Sequence, residues 1–475
     1  MKKHIVDLCI IGAGSAGLSI AAGAVQMGAS VVLIEHDKMG GDCLNTGCVP
    51  SKALLAASKL ADHMRHANRL GLPSHDPKID FKAINKHVHD VINTIASNDS
   101  EARFKKLGCT VIRAKGQFTD RRTVIAGSHE IKARRFVIAT GSRAATPPIP
   151  GLSEVPYFTN ETIFDNTENP KHLLIIGAGP IGAEMAQAHC RLGIKVSVVD
   201  IGPLLPRDEP DCAEVIRQQL KDDGIALHET IQIEKVYKTG QEICIDIIEN
   251  KRKKTLKGSH LLVAAGRRPN VDDLNLEKAK VDFKPQGVIT NDRLQSVSNR
   301  KVTAAGDAAG SYQFTHAASY HAGIIIRNVL FALPAKVKYT ALPWVTYTDP
   351  ELSHVGLMEA DAKKRHPNCR ILNFPFTDND RAIAEKATRG KIKVIVTQKG
   401  HILGVTIVGR NAGELILPWC LAIENHLKIS RMASLIAPYP TLSEINKRVA
   451  GSFYTEKLFS NKTRKLVRFI AKILP

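Results

Sequence analysis

The apolar positions of this chain fall into one pattern used twice. Residues 5–11 are apolar and β-branched with little alternation, as expected of a parallel strand buried on both faces. A glycine-rich turn follows, then a small-residue helix predicted over 18–27 and a second apolar strand over 30–34. The same order returns with a strand at 172–176, a glycine turn, a helix at 183–192 and a strand at 195–199. Between the two units, 53–107 reads as long helical stretches with a polar break at 73–77, and 109–139 as short strands joined by turns. Pro147-Pro148-Ile149-Pro150-Gly151 is a stiff connector and a natural boundary. Beyond residue 343, strand-like segments at 344–347, 391–397 and 403–408 surround helices at 411–426 and 430–436.

The glycine turns give the pattern its chemistry. The first is Gly12-Ala13-Gly14-Ser15-Ala16-Gly17, with Glu35 ending the next strand; the second is Gly177-Ala178-Gly179-Pro180-Ile181-Gly182, with Asp200 in the matching place. Glycine lets the backbone approach a pyrophosphate, the helix N-terminus faces its charge, and the acid accepts from a ribose hydroxyl. Two such units imply two dinucleotides, a flavin and a nicotinamide exchanging a hydride. A carboxylate at Asp200 accepts from a free 2′-hydroxyl and repels a 2′-phosphate, so NAD is favoured over NADP, with Arg207 close enough in sequence to soften the repulsion.

Residues 39–55, Met-Gly-Gly-Asp-Cys-Leu-Asn-Thr-Gly-Cys-Val-Pro-Ser-Lys-Ala-Leu-Leu, hold two cysteines, Cys43 and Cys48, with glycines before each. Pro50 suits the first turn of a helix running through Lys52, whose positive end favours a thiolate. The stretch resembles the active-site segment Gly-Gly-x-Cys-x-Asn-x-Gly-Cys-x-Pro of the flavoprotein disulfide reductases. Its Ser-Lys-Ala-Leu-Leu continuation is most similar to the mercuric reductase and lipoamide dehydrogenase branches. Arg135–Gly141 and Leu261–Asn270 resemble the segments by which the chain leaves each dinucleotide unit, and Val302–His316 resembles the second FAD segment of that family.

The resemblance implies an α/β protein with two Rossmann-like dinucleotide-binding domains and an α+β C-terminal dimerisation domain. The expected divisions are 1–150 with 271–342 for FAD and the dithiol, 151–270 for NAD(P), and 343–475 for a homodimer. It implies FAD on the first glycine turn and NAD(P) on the second. Cys48 becomes the thiol against the flavin, forming the charge-transfer thiolate, and Cys43 the interchange thiol; Lys52 and Glu184 match a pair near the flavin, and Asp307 accepts from the ribityl chain. Gly116, Thr140, Gly141, Gly266, Arg267 and Thr315 complete the positions assigned to the cofactors. The implied activity is NAD(P)H reduction of FAD, then of the Cys43–Cys48 disulfide, then of a small-molecule or metal-thiolate acceptor. Alternatives are dihydrolipoamide dehydrogenase itself, or a flavin redox sensor or membrane-associated scaffold with little turnover.

Two departures bear on the acceptor. Asp42 stands where better-known members carry Thr. In lipoamide dehydrogenase and glutathione reductase a late His-Pro-Thr-x-x-Glu supplies the general base and its orienting acid; here the segment is Ala437-Pro-Tyr439-Pro-Thr-Leu-Ser-Glu444. A phenol titrates near ~10 and is a poor base at neutral pH. Mercuric reductases carry Tyr there, but they also end in a Cys pair, and no Cys follows Cys420.

Composition adds bounds. With 475 residues, 44% hydrophobic, the chain is long enough for about three domains. Aromatics at 5% provide no stacking platform for single-stranded nucleic acid, so no specific nucleic-acid partner is expected. Nine irregularly spaced cysteines form no disulfide framework, no metal site is expected, and the N-terminus enters a strand too soon for a signal peptide, so a cytoplasmic location is expected. The net charge of +20 favours anionic surfaces. In the tail, 457–475, Leu466, Phe469, Ile470 and Ile473 share one helical face, while Lys462, Arg464, Lys465, Arg468 and Lys472 supply positive charge. This is the pattern of a helix lying on an anionic membrane; the alternative is a helix docked on its own domain.

Overall fold

The computed structural model describes residues 1–474. Backbone packing divides the chain into two compact units: the first comprises 1–58, 78–202 and 226–337, the second 59–77, 203–225 and the chain from 338 onward.

The first unit holds both glycine turns. Strands Lys2–Ile11, Val31–Glu35 and Thr110–Arg113 run parallel with His129–Ile138 and Val302–Ala304, and the hairpin Gly116–Asp120/Thr123–Ala126 completes a seven-stranded sheet. Residues 31–35 are all buried, which explains a run with no polar alternation. A second parallel sheet pairs Ala226–His228, Lys195–Val199, His172–Ile176 and His260–Val263 in that order. A three-stranded antiparallel sheet, Gln232–Thr239, Glu242–Glu249 and Arg252–Gly258, had no counterpart in the sequence reading. The two parallel sheets have separate cores: one gathers residues from Leu8 to Ala139 and from Val271 to Val329, the other residues from Leu152 to Val263.

Predicted elements fall within a few residues of observed ones. The helix expected over 18–27 is Ser15–Gln26, and that over 183–192 is Pro180–Arg191; each begins three residues earlier because the glycine turn itself enters the helix.

The second unit is built on a five-stranded antiparallel sheet in the order Pro343–Thr346, Glu351–Gly356, Ile402–Gly409, Lys391–Val396, Arg370–Pro375. Segment 203–225 joins this unit by helix Pro210–Asp222, which buries Cys212, Ala213, Ile216 and Leu220, and by charge. The Lys393 ammonium, 5% exposed, reaches Glu209 at 3.3 Å, Asp211 at 2.5 Å and Glu359 at 2.9 Å. A buried cation held by three carboxylates is costly to break, because any one loss leaves charge uncompensated.

The chain closes on the helix Asn461–Ile473, capped by the Ser460 hydroxyl. It buries no residue. Phe469 is 62% exposed and Ile473 61%, so the apolar face is not docked on the chain. Among the described residues, no helix is long and apolar enough to cross a membrane.

Candidate active site

The redox loop lies directly on the first glycine turn. Gly40 donates its N–H to Ala13 O at 2.9 Å, and Gly14 and Gly40 form an isolated parallel bridge. A Cβ on Gly41 would come 2.7 Å from Gly14 Cα, at a backbone φ of +62°. Asn45 ties the loop by donating to Met39 O at 3.0 Å and Gly41 O at 2.8 Å. Cys43 sits in the short helix Gly41–Asn45, and Cys48 opens the helix Cys48–Arg65.

Both cysteines are free thiols, Cys43 half-buried and Cys48 exposed. Their acidities are driven apart. A hydrogen bond from Cys43 to the Cys48 sulfur pulls the Cys48 thiol down to about 6, helped by Thr315 and the Lys52 ammonium against the opposing effects of burial and Asp42. The same bond, with burial, pushes Cys43 up. The Thr315 hydroxyl lies 3.5 Å from Cys48 Sγ, and Thr315 begins the helix Thr315–Leu330. Lys52 Nζ meets Glu184 Oε2 at 2.9 Å, joining residues 132 apart in sequence.

The two glycine turns fit dinucleotides by the same steric test. At Gly12, φ +106°, a Cβ would fall 2.3 Å from Ala139 O, and at Gly17 it would fall 1.9 Å from Gly12 O. At Gly177, φ +115°, the figure is 2.4 Å from Ala264 O, and at Gly182 it is 1.9 Å from Gly177 O. Only glycine fits these four places. The middle glycine of the second turn, Gly179, has nothing within 4 Å of its Cβ position, which leaves room for a pyrophosphate against the backbone. Neither following helix has a side-chain cap, so the N-terminal amides remain available to an anion. Glu35 accepts from Ala13 N at 2.6 Å and Asp37 N at 2.8 Å; Asp200 accepts from Ala178 N at 2.6 Å and Gly202 N at 2.7 Å. Each acid is therefore fixed at the rim of its turn. Ser15 and Ala16, like Pro180 and Ile181, occupy the first turns of these helices.

Ser142 and Arg267 gather around Asp307, and the other assigned positions lie beside them or in the core below. Ser142 Oγ donates to Asp307, Arg267 Nε donates to Ser142 Oγ at 2.8 Å, and the same guanidinium lies 3.8 Å from Asp307. Burial raises the Asp307 carboxyl above its ordinary value. Thr140 Oγ1 donates to Asn270 O at 2.6 Å, and Gly141 O accepts from Asn270 N at 2.9 Å. Gly266 has φ +123° just before Arg267. Gly116 is buried, with Ile11 and Ile34 side chains 3.2–3.3 Å from its Cβ position, so it also closes the core beneath the first turn.

Tyr439 and Glu444 lie in the second unit. Tyr439 is 68% exposed and donates its hydroxyl to Asp380 at 2.8 Å, which raises the phenol further from neutrality. Glu444 pairs with Arg448 at 2.9 Å. Asp380 was not legible in the sequence, nor was Asn160, a buried loop residue 118 positions from its partner Asp42. Neither belongs to a spacing pattern.

Residues 6–322 match the model of the pyridine nucleotide-disulphide oxidoreductases, and residues 342–450 match the dimerisation domain of the same proteins. The chain belongs to this family. The oxidoreductase is 33% identical to a mercuric reductase of Staphylococcus aureus over 450 residues, covering 94% of this chain and 82% of that one. It is 32% identical to a dihydrolipoyl dehydrogenase of Bacillus subtilis (strain 168), over 92% of this chain and 96% of that one. Among solved structures it is similar to a Cu(II) complex of the HOCl-induced flavoprotein disulfide reductase RclA from Escherichia coli, with a TM-score of 0.84 and 25% identity over 94% of this chain and 99% of that one. The oxidoreductase is thus an NAD(P)H- and FAD-dependent enzyme of disulfide oxidoreduction with a C-terminal dimerisation domain, which supports a homodimer.

Proposed function

We propose that the oxidoreductase takes electrons preferentially from NADH and delivers them through Cys48 and Cys43 to an acceptor that needs no general base. Gly12, Gly14, Gly17, Glu35 and Asp307 would hold FAD, and Gly177, Gly179, Gly182 and Asp200 the nicotinamide dinucleotide. When bound, FAD passes reducing equivalents from the nicotinamide to the disulfide. Cys48 Sγ then rests as a thiolate at neutral pH, held by the Cys43 proton and the Thr315 hydroxyl. Cys43 keeps its proton until an acceptor draws it away. With Cys48 the more exposed thiol, assigning Cys43 to the acceptor requires the flavin to cover Cys48.

The observation that carries the acceptor reading is Tyr439. Its phenol is moved away from neutrality by Asp380, so it serves as a hydrogen-bond donor and not as a base. A metal-thiolate or a quinone meets that condition; lipoamide does not. The test is anaerobic NADH consumption with Hg(II) plus excess thiol, a quinone, and lipoamide in parallel. Turnover with Hg(II) or quinone alone supports the reading, and rapid turnover with lipoamide overturns it. Cys43→Ser should abolish acceptor turnover while NADH still bleaches the flavin. Very slow turnover with every acceptor would favour a redox sensor.

The tail supports a second, separate reading, peripheral contact with an anionic membrane. Asn461–Ile473 leaves Leu466, Phe469, Ile470 and Ile473 exposed beside five basic residues, the charge and apolarity that an anionic bilayer surface complements. Co-sedimentation with anionic and zwitterionic vesicles should capture the full chain on the anionic ones only, and lose a chain ending at Phe459. Equal binding by both chains would dismiss this reading.

A further inference from the structure

The carboxylate of Asp42 stands beside the substrate-facing thiol, and the surrounding chain is arranged to hold it there. Thr46 Oγ1 donates to Asp42 Oδ1 at 2.9 Å, and Asn160 Nδ2 donates to the same oxygen at 2.8 Å. The second Asp42 oxygen pairs with Arg267 Nη2 at 3.1 Å. Asn160 is 7% exposed and also donates to Thr46 O at 3.2 Å, so one buried amide fixes both the acid and the turn that leads to Cys48. Arg267 reaches back to Ser142 O at 3.1 Å and stands between two carboxylates, Asp42 and Asp307. One guanidinium therefore joins the redox loop to the turn assigned to the flavin.

This is more fixing than an incidental surface acid receives. A helix acid satisfied by its own turn would need Thr46 alone. Here a buried amide and a nearly buried guanidinium, from two loops remote in sequence, are committed to it. The charge also opposes the chemistry next door. Asp42 acts to raise both thiols, against the Lys52 ammonium and the Thr315 hydroxyl, which act to lower Cys48.

We propose that Asp42 is a positioning residue that sets the reducing power of the Cys43–Cys48 pair: its fixed negative charge disfavours the reduced, thiolate-bearing form and makes the dithiol a stronger electron donor, while Arg267 limits the effect. The proposal rests on the reading of Cys43 and Cys48 as a redox pair. Reduction of the disulfide takes two electrons and one proton from solvent and yields one thiol, Cys43, and one thiolate, Cys48; a neighbouring carboxylate repels the thiolate and so lowers the potential of the couple. Removing the carboxylate reverses this, and removing Arg267 strengthens it. A purely structural role would predict destabilisation in both variants with no opposed change of potential.

The test equilibrates the purified holoenzyme anaerobically in graded dithiothreitol redox buffers at neutral pH, traps free thiols by alkylation, and counts Cys43–Cys48 disulfide by mass spectrometry. Asp42→Asn keeps an oxygen for Asn160 and Thr46 and removes the charge together with the acceptor that faces Arg267. It should shift the equilibrium about tenfold toward the dithiol, an increase of about 30 mV for a two-electron couple. Asp42→Thr should move in the same direction, and Asp42→Glu should stay near the parent. Arg267→Gln should shift the other way; should that variant not fold, the contrast of Asp42→Asn with Asp42→Glu decides. An unchanged potential in Asp42→Asn, or a shift toward the disulfide, overturns the proposal. Absence of any Cys43–Cys48 disulfide in the parent enzyme would instead overturn the redox-pair reading itself.

Discussion

The two glycine turns are near copies in backbone and differ in what is laid over them. Gly12 and Gly177 have φ values of +106° and +115°, and Gly17 and Gly182 each leave 1.9 Å to the carbonyl of the first glycine. Glu35 and Asp200 each accept from the amide between the first two glycines at 2.6 Å. Over the first turn, however, runs the redox loop: a Cβ added at Gly14 would lie 3.8 Å from Gly41 Cα, whereas one added at Gly179 meets nothing within 4 Å. The duplicated cradle supplies the two seats that the proposed function gives to the two dinucleotides. Under the proposed function, the loop packed on only one of them selects the dinucleotide that exchanges electrons with the dithiol. The difference lies in the residues after the first acid, Met39 to Cys48, where the second unit continues as Ile201-Gly202-Pro203.

The largest effects should come from the shared glycines. Gly17→Ala and Gly182→Ala each force a Cβ into a backbone oxygen 1.9 Å away, a clash that costs about 3 kcal/mol or more. Their consequences should differ. Gly17→Ala should purify without flavin and melt at lower temperature. Gly182→Ala should keep its flavin spectrum but lose bleaching by NADH. Loss of flavin from both variants would break the view that the two cradles are separate sites.

Gly41→Ala and Gly179→Ala sharpen the same contrast at lower cost. Gly41 has φ +62° and 2.7 Å to Gly14 Cα, so a methyl there should lift the redox loop and cost about 1–3 kcal/mol, read as a lower melting temperature and impaired disulfide reduction. Gly179, at φ −74° in open space, should tolerate Ala in the fold. The added methyl would occupy ground a pyrophosphate needs, raising the KM for NADH about tenfold, or about 1.4 kcal/mol.

Much of this contrast is legible in the sequence because it is local. Glycine spacing, the acid at the end of the next strand, and the paired cysteines all fall within short windows, where sterics and charge leave few residue choices. Lys52 and Glu184 were paired through resemblance alone, since nothing in their spacing brings residues 132 apart to 2.9 Å. What stayed hidden is side-chain traffic between loops. Asn160 on Asp42 and Asp380 on Tyr439 are single polar residues in irregular segments, with no periodicity to betray them. The antiparallel sheet over 232–258 was missed for a related reason, as its strand Arg252–Gly258 is mostly exposed and too charged to read as a strand. The grouping of 203–225 with the second unit is reinforced by Lys393, whose burial no local pattern announces.

Asp200→Asn tests the chemistry at the rim of the second cradle alone. The amide keeps an acceptor for one of the two backbone N–H groups that Asp200 serves, Ala178 or Gly202, while removing the charge that faces a 2′-phosphate. The ratio of kcat/KM for NADPH to that for NADH should rise about tenfold, chiefly through the KM for NADPH. Flavin content should not change. An unaltered ratio would mean that Asp200 orders the turn without selecting the nicotinamide.

The smallest effect concerns the first cradle's own loop. In reduced enzyme stripped of its flavin, which would otherwise cover Cys48, Cys48 should alkylate with a rate that climbs as pH rises through about 6, because the thiolate is the nucleophile and is present only above its pKa. Below that pH the thiol is protonated and should be inert. Cys9, on the strand directly beneath the same turn, is fully buried and pushed far upward, so it should remain unmodified across the range and serve as an internal control. Thr315→Val removes a hydrogen bond that favours the Cys48 thiolate, and should move the profile toward higher pH without changing the order of the two thiols. The alkylated site is read by peptide mass spectrometry. In the flavin-free enzyme, modification of Cys43 before Cys48 would reverse the assignment, placing the stabilised thiolate on the acceptor side of the pair.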